Sequence, residues 1–275
     1  MYERLYHSIP DVPAYLERLQ VPAPVKLDKS YLDTLIYAHQ CRIPFENLDV
    51  CAYHRPISLG IPDIFDKVIV SRRGGYCFEL NALFTQLLKD LGYHATACMC
   101  RILRNKAFTP PILHRGIIVE SEGRQYFCDV GYGGPAAPGS VLIEDHATTC
   151  FGSGQYHVSR TDDYWWTLSR TTSSGLLELV MQFYTMPQEN VDFVAMNDYC
   201  SQNPNSIFTQ KLFLNVRTGD GAAHILGTVF TLEKGADTLT RNITDCSEFL
   251  DIAHTYFDLH CLDSFNLPPE DARVR

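Results

Sequence analysis

Apolar positions along the chain change their spacing twice, and each change predicts a change of architecture. Through the first ninety or so residues they recur at helical spacing, over Val12 to Gln20, Leu32 to Gln40 and Ile64 to Val70. Pro22, Pro24, Pro44, Pro56 and Pro62 separate these segments. The strongest helix follows Gly74-Gly75: Leu80, Leu83, Phe84, Leu87, Leu88 and Leu91 mark one face at i, i+3, i+4, i+7, i+8 and i+11, and Gly92 supplies the stop. From Tyr93 to about Met186 the pattern turns to short β-rich runs, His94–Leu103, Arg115–Glu120, Gln125–Val130, Gln155–Arg160, Trp165–Ser169 and Glu178–Tyr184. Gly, Ser and Asp clusters divide them, which predicts a compact antiparallel sheet or barrel. Beyond it, Val191–Asn203 reads as a connecting helix and Phe213–Arg217, Ala223–Leu232 and Thr238–Thr244 as strands. Ser247–Asp258 reads as a final helix opened by start signals at Ser247 and Glu248.

Composition narrows the classes. The 275 residues are 45% hydrophobic and 12% aromatic, with apolar residues throughout, so disordered and fibrous classes are excluded. Lys and Arg number 23 against 32 Asp and Glu, a net charge of −9. With no basic stripe to offset it, that charge excludes nucleic acid as a partner. No apolar run approaches the roughly 18 residues of a membrane span, and Met1-Tyr-Glu-Arg-Leu-Tyr-His7 has no apolar signal core. No membrane association and a cytoplasmic location are the expectations. Ten cysteines at irregular spacing, with no Cys-x-x-Cys pair, predict reduced thiols rather than a disulfide framework. Cys98-x-Cys100 with His94 nearby is the closest approach to a metal cluster. Its apolar, strand-like surroundings read as core thiols, so no metal is expected.

The segment Ser71-Arg-Arg-Gly-Gly-Tyr-Cys-Phe-Glu-Leu-Asn81 carries the most chemistry. Cys77 opens the strongest helix, where free N–H groups and the positive end of the dipole favour thiolate and are expected to lower its pKa. A thiolate needs a base and an orienting group. His114 and Asp129 flank a predicted hairpin whose turn is at Ser121-Glu-Gly-Arg124. With Ser121–Glu122 as the loop His114 faces Asp129. With Glu122–Gly123 as the loop Asp129 faces Gly116. Either register puts His114 and Asp129 on the same face of the sheet. Asp129 lies in the apolar stretch Phe127-Cys-Asp-Val-Gly131, where a carboxylate is buried and paired. Cys77, His114 and Asp129 then read as nucleophile, base and orienter.

Arg73-Gly-Gly-Tyr-Cys-Phe-Glu-Leu-Asn81 resembles the active-site signature of the arylamine N-acetyltransferases. Ile43-Pro-Phe-Glu-Asn-Leu-Asp-Val50, Asp129-Val-Gly-Tyr-Gly-Gly134, Asp192-Phe-Val-Ala-Met-Asn197 and Ser201-Gln-Asn-Pro-Asn-Ser-Ile-Phe208 are similar to further segments of that family, in order, from about residue 40 to 235. The resemblance implies an α+β fold: a helical domain over residues 1–92, an antiparallel β-barrel over 93–186, and a connecting helix with an α/β lid over 187–275. It also implies a core like that of thiol proteases and transglutaminases. It implies acetyl transfer from acetyl-CoA, with no permanently bound cofactor, to small aromatic amines or hydrazines. Cys77 would be the acyl acceptor, His114 its base and Asp129 its orienter. Gly133, Gly134, Ser206 and Phe208 would contact CoA, and Phe45 and Tyr132 would wall the acceptor site. Arg73 is read as holding the active-site turn, and Glu46 and Glu79 as structural or functional acids.

Two departures stand out. Arg115-Gly116 follows His114 where an apolar pair is commoner in the family, and Gly116 is expected to leave room for a bulkier acceptor. Tyr132 stands where Phe is frequent. An amide synthase on a carrier-bound acyl chain, a thiol hydrolase or transglutaminase, and a non-enzymatic thiol-rich protein are the other readings.

Overall fold

The computed structural model describes residues 2–267. Helix α1 (Val12–Leu19) is capped by the Asp11 carboxylate, which accepts the Ala14 N–H, and α2 (Lys29–Arg42) by Asp28, which accepts from Tyr31. A short strand β1 (Phe45–Glu46) and the single turn α3 (Leu48–Cys51) follow. The helix expected over Ile64–Val70 is two pieces, α4 (Ile61–Phe65) and a wider π-helical turn, Asp66–Val70. Helix α5 (Cys77–Leu91) ends at Gly92, which adopts φ 107, a left-handed conformation open to glycine.

The central sheet comprises β2 (His94–Ile102), β3 (His114–Ser121), β4 (Arg124–Cys128), β5 (Val141–Leu142), β6 (Ala147–Phe151), β7 (Gly154–Arg160), β8 (Trp165–Thr171) and β9 (Leu177–Tyr184). Its strands run β5-β4-β3-β2-β9-β8-β7-β6, and the Leu142 N–H donates to Thr149 Oγ1 across the gap between β5 and β6. The result is a nearly closed antiparallel barrel. Alternation along β2 and β3 sends Cys98, Cys100 and Ile118 inward against Phe127 and Phe183. Ala95, Ile117 and Val119 point outward against Leu80, Leu83, Phe84 and Leu87 of α5. Strands β5 and β6 were not expected from the sequence. The first has only two residues, and the second alternates between half-buried and exposed positions with no apolar face to give it away.

After a 3-10 turn, Asn190–Phe193, come α6 (Val194–Gln202) and α7 (Ile207–Gln210); the predicted connecting helix is thus a 3-10 turn followed by an α-helix. The last part holds β10 (Phe213–Arg217), β11 (Gly221–Leu226), β12 (Val229–Lys234), β13 (Asp237–Asn242) and α8 (Cys246–Phe257). The run Ala223–Leu232 is not one strand. Gly227, at φ 62, reverses the chain and sets Leu226 opposite Val229. Helix α8 starts earlier than expected because the Asp245 carboxylate accepts the Glu248 N–H at 2.9 Å. This second sheet runs β1-β10-β11-β12-β13, with Phe45 opposite Asn215. A strand from the N-terminal segment therefore completes the C-terminal sheet and carries Phe45 and Glu46 to the centre of the molecule. Among the described residues no helix is long and apolar enough to cross a membrane.

Candidate active site

Two glycines allow the chain to enter α5 pressed against its neighbours. A Cβ on Gly74 would lie 2.1 Å from the Pro44 carbonyl oxygen, and one on Gly75 2.9 Å from Glu79 Oε2. The Tyr76 N–H, the last before the helix, donates to Glu79 Oε2 at 3.0 Å. Beneath this turn Arg73 Nη2 pairs with Glu46 Oε1 at 2.7 Å, and Lys67 Nζ reaches Glu79 Oε1 at 2.8 Å and Asp49 Oδ2 at 2.7 Å. Arg73, Glu46 and Glu79 are therefore tied to one another and to the turn.

Cys77 is the first residue of α5 and is buried, with the backbone N–H groups of Arg115 and Phe78 against its sulfur. The expected lowering of its pKa by the helix end is overturned. Burial pushes the thiol up, the charges of Cys200 and Asp129 add to the rise, and the two N–H groups only oppose it.

The β3–β4 hairpin turns on Glu122 and Gly123, at φ 53 and 75, so Ser121 lies opposite Arg124 and Ile117 opposite Cys128. This is the register that carries Asp129 toward Gly116, two residues along from His114 and on its face. The side chains span the difference: His114 Nε2 stands 2.7 Å from Asp129 Oδ2, with both groups buried. Asp129 Oδ1 accepts from Asn81 Nδ2 and from the Gly131 N–H, each at 2.9 Å. Asn81 also donates to the Arg115 carbonyl at 2.6 Å and accepts the Val130 N–H at 2.9 Å, and Gln40 Nε2 donates to the Asp129 carbonyl at 3.0 Å. A Cβ on Gly131 would lie 2.8 Å from Cys77 Cα. Helix, strand and turn thus converge on one point. With Nε2 of His114 committed to Asp129, Nδ1 is the ring nitrogen left for sulfur.

Beside this point lies a cleft of about 470 Å³ between the barrel and the second sheet, lined by Phe45, Tyr132, Gly133, Gly134, Arg104, Arg170 and Arg217 among others. The Tyr132 ring meets His114 edge to face, with centroids 6.0 Å apart, and burial pushes its phenol up to about 12. A Cβ on Gly133 would lie 2.8 Å from the Phe45 ring. Phe208 stands behind this wall, edge-on to Tyr76 at 5.6 Å and 6.2 Å from Phe45. Ser206 is occupied elsewhere: its hydroxyl donates to the Cys200 carbonyl at 2.7 Å and accepts the Phe208 N–H at 3.2 Å, capping α7. The structure brings Phe45, Tyr132, Gly133 and Gly134 to the cleft and leaves Phe208 and Ser206 outside its lining. A wider groove of about 960 Å³ runs along α2 past Tyr37 and Cys41; Cys77, His114 and Asp129 line neither it nor the cleft, which reaches His114 through Tyr132.

The N-acetyltransferase family pattern matches residues 28–264. Over 191 residues, 69% of this chain and 67% of the other, the chain is 34% identical to the arylamine N-acetyltransferase / N-hydroxyarylamine O-acetyltransferase of Salmonella typhimurium. The chain belongs to the arylamine N-acetyltransferase family. A solved arylamine N-acetyltransferase from Salmonella typhimurium superimposes with a TM-score of 0.85 at 28% identity, covering 94% of each chain. A Mycobacterium marinum arylamine N-acetyltransferase solved in complex with CoA shares the fold, with a TM-score of 0.84 at 24% identity over 90% of this chain and 93% of that one.

Among arylamine N-acetyltransferases this chain was expected to have free space at Gly116, and the structure overturns that. A Cβ there would meet the Phe127 ring at 2.6 Å and Cys100 Sγ at 2.9 Å, so the glycine admits its own core and leaves no room for an acceptor. Cys98 and Cys100 are fully buried with sulfurs 3.9 Å apart, while His94 faces solvent beside Glu120 at 3.4 Å. Sequence reasoning missed Asn81 and Gln40. For Asn81 a signal existed: it lies four residues after Cys77, on the same helical face, amid leucines.

Proposed function

We propose that this family member transfers an acetyl group from acetyl-CoA to the nitrogen of arylamines or arylhydrazines through an acetyl-enzyme on Cys77. The observation that carries the residue assignment is the buried His114–Asp129 pair at 2.7 Å, fastened by Asn81 to the helix that Cys77 opens. As the Cys77 proton passes to His114 Nδ1, the sulfur attacks the thioester carbonyl carbon. The tetrahedral intermediate expels the CoA thiolate, which takes the proton back from His114 and leaves as free CoA. A neutral aromatic amine then attacks the acetyl carbon, and His114 accepts its N–H proton. When the amide departs, the proton returns to the Cys77 sulfur. Asp129 holds His114 in the tautomer that presents Nδ1 and balances the imidazolium that forms.

The cleft supports both substrates in turn. Arg104 and Arg170 share Glu178, at 2.9 and 2.6 Å, and Arg217 donates to Gln40 Oε1 and the Ala136 carbonyl, so it is their remaining N–H groups that would meet CoA phosphates, while Phe45 and Tyr132 would wall the acceptor site. The Phe45 and Tyr132 rings fill the space where side chains at Gly133 and Gly134 would stand, so these two residues would meet the donor through their backbone. Ten unpaired cysteines fit a reducing compartment, and we assign the cytoplasm.

Mass spectrometry after mixing with acetyl-CoA tests the reading. It expects one acetyl adduct, on Cys77, that aromatic amine discharges and that Cys77→Ala does not form. An adduct that water removes as fast as amine would favour a hydrolase. Charging only from a carrier-bound acyl chain would favour an amide synthase.

A further inference from the structure

An uncovered sheet edge presents a row of unpaired N–H and carbonyl groups, and among the described residues every edge of this fold but one has a neighbour. Strand β1 is flanked by Gly75, whose carbonyl accepts the Glu46 N–H at 2.8 Å. Strands β5 and β6 face each other across the barrel seam. Strand β13 ends the second sheet with all of its residues exposed, and among the described residues no other strand lies against its far side. Its register with β12 runs unbroken from Lys234–Asp237 to Val229–Asn242, so no bulge turns the edge away, and it holds neither proline nor lysine. The Ile243 N–H donates to the Thr228 carbonyl at 2.7 Å, which fixes the phase of the ladder. Asp237, Leu239 and Arg241 exchange hydrogen bonds with β12, and the N–H and carbonyl groups of Thr238, Thr240 and Asn242 point away from it.

The side chains of this edge are complementary to themselves. Asp237 lies toward one end and Arg241 toward the other, with Leu239, 54% exposed, midway between them. All three stand on the face that packs on α8. Leu239 is opposite the buried Leu232, and Arg241 lies over the Phe230 ring at 5.6 Å and 3.7 Å from Glu248. We propose that β13 pairs antiparallel with β13 of a second copy of this chain, about a two-fold axis at Leu239. Thr238 of each copy then exchanges hydrogen bonds with Thr240 of the other. Leu239 meets Leu239 at the close, non-hydrogen-bonded spacing and extends the apolar layer that begins at Leu232. Asp237 of each copy stands opposite Arg241 of the other, because the contact is isologous. The neighbouring two-fold registers lose this match, setting Leu239 against Asp237 or against Arg241. So short an edge makes a reversible dimer rather than an obligate one.

Sedimentation velocity of the full chain between about 10 μM and about 1 mM is the test. The weight-average mass is expected to rise with concentration toward that of two chains. Thr240→Pro removes an outward N–H and no bond to β12, so it should leave the thermal midpoint nearly unchanged and weaken dimerisation at least about tenfold. Asp237→Arg and Arg241→Asp each set like charges opposite one another, and each should be monomeric alone. Mixed in equal amounts, the two variants set arginine opposite aspartate at both positions, and the dimer should return as a heterodimer. If Thr240→Pro does not fold, the charge variants and their mixture carry the test, since both positions are exposed. A parent chain that is monomeric over the whole range would overturn the proposal. A dimer untouched by Thr240→Pro would assign the contact to another surface and overturn it equally, as would a mixture that stays monomeric where the parent dimerises.

Discussion

Asn81 Nδ2 lies 2.9 Å from Asp129 Oδ1, so the helix that Cys77 opens is joined directly to the carboxylate that holds His114 at 2.7 Å. The same amide holds the Arg115 carbonyl and the Val130 N–H. One side chain therefore fixes the mutual position of all three segments that carry the proposed triad.

Asn81→Ala should cost both activity and stability. It leaves the buried Val130 N–H, the Arg115 carbonyl and one oxygen of Asp129 short of a partner, at about 1–3 kcal/mol for each group left unsatisfied. Urea unfolding should show the loss. Acetyl transfer should fall by at least about tenfold, because His114 is no longer held to the α5 frame. Parental stability and rate in this variant would rule out the joining role.

Gly116→Ala should destabilise the barrel by about 1–3 kcal/mol, since its methyl must displace Phe127 or Cys100. If Gly116 instead bordered an open acceptor site, the urea midpoint would be unchanged and only the KM for bulky amines would move.

Arg73→Ala strands Glu46 in the interior and is expected to cost about 3–5 kcal/mol, whereas the pair Arg73→Met with Glu46→Leu should cost less than Arg73→Ala alone. Equal losses in the single and double variants, measured by thermal unfolding, would show that the charge pair is not what the turn depends on.

His39 gives a pH signature unconnected with the triad. It is fully buried against Tyr15 and Phe84, and burial, with help from the Arg18 charge, lowers it to about 3. The unfolded histidine takes a proton near pH 6.5 while the folded one remains neutral, so its contribution is complete above that pH and is lost as pH falls. Between pH 6.5 and 5 stability should drop by about 2 kcal/mol, and His39→Gln should flatten that limb. An unchanged limb in urea titrations of the variant would place the acid sensitivity elsewhere.

Much of the site was legible in the sequence because its signals are local. The glycine pair, the helix start at Cys77 and the shared face of His114 and Asp129 all follow from short stretches of chain. The reading failed where distant segments decide. Ser206 has the residue type of a ligand contact, yet its hydroxyl is spent on the Cys200 carbonyl and the cap of α7. Strands β5 and β6 lack an apolar alternation. Gly116 looked like free space because the chain alone does not say that Phe127 fills it.

The helix-terminal placement of Cys77 and the shared face of His114 and Asp129 are written into the chain itself. Each depends on backbone periodicity and turn chemistry within a few residues. Packing between remote segments selected the hairpin register, made burial outweigh the helix end at Cys77, and buried Arg115 with no carboxylate among the described residues paired to it. Those depend on which side chains from remote segments exclude water from one another, and that is fixed by packing rather than by position along the chain.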